Sequence, residues 1–102
     1  MHEERERFFS RLATIPGIHT MPSIGAWILV AVSQPNELAR RINRRTVPGL
    51  VNVPRHVPNA VRLPVRDPKS NETLFQVIRD IMVREARHRF YRELRQASVV
   101  AN

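Results

Sequence analysis

The sequence contains no cysteine, which excludes disulfides, thiolate metal sites and a cysteine nucleophile. This composition fits a cytoplasmic protein, which is the localisation that we expect. The longest apolar run, residues 24–32, is far shorter than the roughly 20 residues that a membrane-spanning helix needs. We therefore expect no membrane span.

Lysine is also scarce, because Lys69 is the only one, so arginine carries almost all of the net charge of +8. Only 6% of the residues are aromatic, and few of them lie between the arginines. Proteins that bind single-stranded nucleic acids by base stacking usually interleave aromatic and basic residues, so this pattern argues against a nucleic-acid partner. The histidines are scattered without metal-ligand spacing, and we expect no metal site.

Apolar periodicity and turn residues divide the 102 residues into elements of a single domain. Ser33 is expected to cap the second helix, with Pro35 in its first turn, and Asp67 to cap the third. The run 24–32 is apolar on both faces, which predicts a central strand covered on both sides. The predicted helices are 3–15, 34–44 and 68–96, and the predicted extended segments are 18–21, 24–32, 47–53 and 60–65.

Arg62 lies in the middle of the otherwise apolar strand 60–65. Alternation places Val61 and Leu63 on one face of this strand and Arg62 on the other, beside small neighbours. A guanidinium fork fits a carboxylate or a phosphate best, through two parallel hydrogen bonds. The alternative is a structural arginine whose head group reaches water or a nearby Asp or Glu.

The end of the sequence is basic, since the five arginines between positions 84 and 95 are accompanied by only two acidic residues, Glu85 and Glu93. One interpretation is a solvated helical face whose inner apolar stripe continues through Ala86, Phe90 and Leu94 and packs on the body or on a partner. The other is a helix that docks on a protein partner, with a homo-oligomer among the options. The residues predicted to make that contact are Phe90, Tyr91, Leu94, Arg87 and Arg92.

Three segments, in this order, resemble the C-terminal small domain of fold-type I pyridoxal-phosphate aminotransferases, nearest to the histidinol-phosphate aminotransferase branch. They are the basic helix ending in Leu12-Ala-Thr-Ile-Pro-Gly17, the segment Pro22-Ser-Ile-Gly-Ala-Trp-Ile-Leu-Val30, and Asn59-Ala-Val-Arg-Leu-Pro-Val65 with Asn71 downstream. The sequence departs from the family pattern at Ala26, where the family has an asparagine, and at Thr46, where it often has a glycine.

The resemblance implies an α/β two-layer (α+β) fold with a mainly antiparallel sheet and helices packed on one face. Residues 1–97 would form this domain with an extended C-terminal helix, and residues 98–102 a frayed tail. It also implies that Arg62 binds the α-carboxylate of the substrate, with Ser23, Ala26 and Trp27 as further candidate contacts.

In the family, a lysine on a separate large domain holds pyridoxal phosphate as a Schiff base, and Lys69 does not lie at the matching place. We therefore expect the isolated chain to bind no cofactor and to be inactive alone. Completed by a large domain, it would take part in pyridoxal-phosphate-dependent amino-group transfer. The alternatives are a non-catalytic binding or assembly subunit and a fragment of a longer enzyme.

Overall fold

A computed structural model of the protein describes residues 2–23 and 25–101, without the side chains of residues 2 and 98–101. Its three helices are α1 (His2–Leu12), α2 (Pro35–Arg45) and α3 (Pro68–Ala101). Its strands β1 (His19–Met21), β2 (Trp27–Ala31) and β3 (Ala60–Pro64) form one antiparallel sheet in the order β1-β2-β3. The predicted α+β class with a mainly antiparallel sheet is confirmed. No helix in the described part of the chain is long and apolar enough to cross a membrane.

The two faces of the sheet differ in burial, because residues alternate between them along each strand. On one face, which we call the covered face, Ile28, Val30, Val61 and Leu63 are fully buried. These side chains share one core with residues from all three helices, among them Phe8, Leu12, Leu38, Ile42, Leu74 and Ile78. The helices therefore pack on one face of the sheet, as predicted.

The other face, which we call the open face, carries Trp27, Leu29 and Ala31 of β2 and Arg62 of β3. Trp27 is 36% exposed, and Leu29 and Ala31 are only half-buried. The prediction that this strand is covered on both sides is therefore wrong, since the helices all lie on the other face. The first residue of the predicted strand, at position 24, lies outside the described residues.

Asp67 caps α3 as predicted. Its side-chain Oδ2 accepts a hydrogen bond from the Ser70 N–H at 3.1 Å, and Pro68 follows as the first helical residue. The predicted cap of α2 is wrong by one residue, because the N-cap is Gln34, whose side chain makes no capping hydrogen bond. Pro35 disfavours the helical conformation in the residue before it, so the boundary falls at Gln34.

Residues 47–53 form no strand, although the sequence predicts an extended segment there. Gly49 turns the chain with a φ of +78°, and only Asn52 pairs with β3, through an isolated antiparallel bridge to Arg62. Val51 bonds instead to a helix side chain. Its N–H donates to Asn43 Oδ1 and its carbonyl accepts from Asn43 Nδ2, both at 2.9 Å. The side-chain amide of Asn43 thus takes the place of a neighbouring strand.

The apolar stripe of α3 does not stay on one side of the helix. Leu74, Ile78 and Ile81 are buried in the core, whereas Phe90 and Leu94 are about half exposed. At 3.6 residues per turn, each step of four residues rotates the row by about 40°, so Ala86, Phe90 and Leu94 move away from the body. The prediction that the inner stripe continues through these residues is wrong.

The helix itself continues to Ala101, past its predicted end at about Gln96. The tail predicted to fray, residues 98–102, lies partly outside the described residues, and that prediction stays untested.

Candidate functional site

Arg62 and Trp27 form a stacked pair on the open face. The guanidinium carbon of Arg62 lies 4.4 Å from the centroid of the Trp27 ring. The pairing of β2 with β3 creates this contact. Leu29 is the cross-strand partner of Arg62, and Trp27 is the partner of Pro64, the next residue of β3 on the open face, so Trp27 and Arg62 are diagonal neighbours. A cation over an indole face is the strongest form of cation–π contact. Trp27 therefore holds the arginine side chain along the sheet.

The guanidinium of Arg62 has no anionic partner in residues 2–23 and 25–101. No carboxylate within this range lies close enough to form an ion pair with it, and its buried Nε has no hydrogen-bond partner there. The side chain as a whole is half-buried. A guanidinium that is partly desolvated and unpaired is poised to accept a carboxylate or phosphate.

The backbone of Arg62 is held from both sides. On one side it lies in the β2–β3 ladder, and on the other its N–H donates to the Asn52 carbonyl at 2.8 Å. The Asn52 N–H returns a longer hydrogen bond of 3.4 Å to the Arg62 carbonyl. This arrangement fixes the direction in which the side chain leaves the sheet.

Arg5 of α1 holds the segment that leads into Trp27. Its guanidinium donates to the carbonyl oxygens of Ser23 at 2.5 Å, Gly25 at 3.1 Å and Trp27 at 3.1 Å. No sequence pattern points to Arg5, because its partners are backbone carbonyls 18–22 residues away. It acts as a positioning residue for the start of β2.

Ser23 belongs to the same network and does not face an open site with a free hydroxyl. Its Oγ donates to the Trp27 carbonyl at 3.3 Å and accepts from Arg5 Nη2 at 3.2 Å. Ala26 is exposed, and its carbonyl accepts from the Val65 N–H at 2.8 Å, which extends the β2–β3 pairing. The structure therefore places Ser23, Ala26 and Trp27 next to one another, with Trp27 as the one whose side chain contacts Arg62.

The side chain of Asn71 forms hydrogen bonds to the loop that follows β3. This buried side chain, 1% exposed, accepts from the Arg66 N–H and donates to the Arg66 carbonyl, both at 2.8 Å. Its amide also donates to Glu4 Oε2 at 2.8 Å. The sequence suggests only a solvated first helical turn for Glu4. Hydrogen bonds from Arg7 and then Asn71 hold the pKa of Glu4 below its ordinary value.

Lys69 does not fit a Schiff-base role within this chain. It is exposed at the start of α3, in a shallow surface pocket that it shares with Thr46 and Leu50, on the helix side of the molecule. Arg62 lies on the open face of the sheet. The residues of this chain therefore do not by themselves fit a pyridoxal-phosphate site.

The C-terminal part of α3, residues 83–97, is called the distal segment below. Phe90, Tyr91 and Leu94 are 56%, 54% and 49% exposed, and the Phe90 and Tyr91 rings meet edge to face with centroids 5.8 Å apart. Arg87 lies next to this apolar surface, whereas Arg92 lies on the opposite side of the helix. There Arg92 lines a groove of about 390 Å³ between α2 and α3. The structure thus brings four of the five predicted contact residues together.

The sequence matches no model of a known protein family and no curated protein. The resemblance to aminotransferases therefore rests on the three sequence segments alone.

Proposed function

We propose that this chain supplies the carboxylate-binding part of an aminotransferase-type active site, with Arg62 as the residue that binds the substrate carboxylate. The observation that carries the proposal is the unpaired, half-buried guanidinium of Arg62 on the open face, stacked on Trp27. The rest of the site would come from a lysine-bearing domain outside residues 1–102.

The physical reason is the difference between the free and the bound states of the guanidinium. In the free state Arg62 is partly desolvated without a compensating anion, so part of the cost of removing it from water has already been incurred. A carboxylate then adds charge-assisted hydrogen bonds, and a bidentate fork also fixes its orientation. The stack on Trp27 limits the rotamers of Arg62 before the ligand arrives.

The open face provides the place for a second domain. Its apolar side chains, Trp27 and Leu29, are incompletely covered, because the described helices pack on the other face of the sheet. A domain docked there would cover these side chains and enclose Arg62. Exclusion of water strengthens a guanidinium–carboxylate interaction, because the local dielectric constant falls.

The sole tryptophan of the chain makes a direct test possible, since Trp27 touches Arg62. We expect propionate to change the Trp27 fluorescence in a saturable way at constant ionic strength, and propionamide, its uncharged analogue, to have no effect. Arg62→Ala should abolish the response, and Arg62→Lys should weaken it, because a lysine offers no fork. The matched control is Arg66→Ala, which removes an exposed arginine four positions away and should leave the response intact. An unchanged response in Arg62→Ala would remove this residue from the site.

A second candidate function is assembly with another protein through the distal segment. The specific observation is that Phe90, Tyr91 and Leu94 are large, apolar and about half exposed on one helix. Exposed apolar side chains that cluster in this way mark interaction surfaces more often than isolated ones do. This function does not require Arg62, so the fluorescence titration separates the two proposals.

A further inference from the structure

The distal segment presents an apolar row on the side of α3 that points away from the body. We call this row, Val83, Ala86, Phe90, Leu94 and Ala97, the outer stripe. Its spacings of three and four residues place all five positions on one side of a helix. Every residue from 86 to 97 is exposed, so the described part of the chain leaves these positions of the stripe uncovered. The stripe has the length and spacing of a surface that packs against another helix.

Arginines outnumber glutamates around the outer stripe. At about 100° per residue, Arg87 borders the stripe on one side, with Arg84 and Arg95 further round the helix. Glu93 borders it on the other side, with Arg89 beyond it. Arg84 makes only a long contact of 3.4 Å with Asp80, while Arg87 and Arg95 have no ion-pair partner in the described part of the chain. The outer stripe therefore lies in a segment with an excess of positive charge that is mostly unpaired in the described residues.

We infer that the outer stripe binds an amphipathic helix of another protein whose apolar row is bordered by acidic residues. This inference rests on the second candidate function and names the chemistry of the partner. Glutamates beside the apolar row of the partner would pair with Arg87 and Arg89, which have no ion-pair partner in the described residues, and the row would cover Phe90 and Leu94. A second copy of this chain fits less well, since each copy carries a net charge of +8 and the distal segments would meet as like charges.

The test uses two labelled helical peptides with the same heptad leucine row, one with glutamates and one with lysines at the bordering positions. We expect the acidic peptide to bind the intact chain at least about tenfold more tightly than the basic peptide in fluorescence anisotropy. Added salt should reduce this difference. Equal affinities for the two peptides would overturn the inference.

Variants of the chain locate the binding to the stripe. Phe90→Ser combined with Leu94→Ser should lower the affinity for the acidic peptide by about tenfold or more, and Arg87→Glu should lower it severalfold. The matched controls are Val47→Ser, at a residue 58% exposed outside the helix, and Arg44→Glu, at an exposed arginine of α2. Both controls should bind like the unaltered chain. Circular dichroism checks that each variant stays folded, which is expected because all these side chains are exposed.

Sedimentation equilibrium tests the competing occupant. A dimer that dissociates in the Leu94→Ser variant would assign the stripe to a second copy and overturn the inference, whereas a monomer supports it. None of these measurements involves Arg62, so their failure leaves the carboxylate-binding proposal standing, and the reverse is also true.

Discussion

The two faces of the sheet are built from the same strands, yet they differ in burial and in charge. On the covered face, Ile28 and Leu63 are directly opposed across β2 and β3 and are both fully buried. One residue later along β2, Leu29 opposes Arg62 on the open face, and both are only half-buried. The covered face therefore contributes the apolar burial that stabilises the fold, while the open face holds a partly desolvated charge.

This difference shows how a small domain can carry an unpaired guanidinium without losing its fold. Burial of apolar surface contributes roughly 25 cal/mol per Å², so one well-covered face and its helices supply most of the stability. The open face can then hold the unpaired guanidinium of Arg62, which we propose binds a carboxylate. Substitutions on the two faces should accordingly have different effects.

The largest expected effect is on the covered face. Leu63→Ala should lower the free energy of unfolding by about 2–5 kcal/mol, because it removes a fully buried side chain and leaves a cavity. Leu29→Ala removes the same atoms from the open face and should cost less than about 1.5 kcal/mol, since part of that side chain is already in water. Urea denaturation measures both values. Equal losses would show that something other than the helices determines burial in this sheet.

The next effect concerns the loop between β3 and α3. Asn71→Ala should lower the free energy of unfolding by about 1–3 kcal/mol, because it removes a buried amide that bonds the N–H and carbonyl of Arg66 and one of the two hydrogen-bond partners of the Glu4 carboxylate. Gln76→Ala, at an exposed position of the same helix, should stay within about 0.5 kcal/mol. Thermal and urea unfolding of the two variants give the comparison. A cost at Asn71 no larger than at Gln76 would mean that water replaces these hydrogen bonds.

The local sequence pattern is sufficient to predict those parts of the fold that depend on interactions between residues close in sequence. The alternation around Arg62 predicts β3 and the side of the sheet on which the arginine lies. Asp67 followed by Pro68 predicts the start of α3. Both rest on interactions spanning a few residues, which a sequence displays directly.

The rest depends on contacts between distant residues. The stack of Trp27 on Arg62 requires the register of β2 against β3, which alternation alone does not define. Arg5 and Asn43 act on backbone groups, and such partners leave no mark in the side-chain sequence. The rotation of the α3 stripe is different, since its four-residue steps are visible in the sequence and a helical angle computed from them places Leu94 away from the body.

A smaller effect on stability is expected at Arg62 itself. Arg62→Met should change the free energy of unfolding by less than about 1 kcal/mol, because the lost cation–π contact and the relief of an unpaired charge have opposite signs. The same variant should lose the propionate response. A loss as large as that of Leu63→Ala would instead identify Arg62 as a structural residue and contradict its assignment to ligand binding.

The smallest expected effect is the pH dependence of stability, which comes from carboxylates on or next to the helices. Hydrogen bonds from arginines lower the pKa values of Glu4, Glu37 and Asp80, and hydrogen bonds from Ser70 lower that of Asp67. Since each pKa is lower in the folded than in the unfolded state, these groups stabilise the fold when the pH is above their ordinary pKa values. That contribution is lost as the pH falls below about 4.5 toward the folded-state values.

The melting temperature should therefore not respond to these carboxylates above about pH 5 and should fall at lower pH. Asp67→Asn keeps a capping side chain but removes its titration, so the decrease on acidification should be shallower. Arg62→Met should leave the decrease unchanged, because no carboxylate of the described residues pairs with Arg62. A shallower acid slope in Arg62→Met would reveal a carboxylate partner in solution and would place the open face, like the covered one, among the structural parts of the molecule.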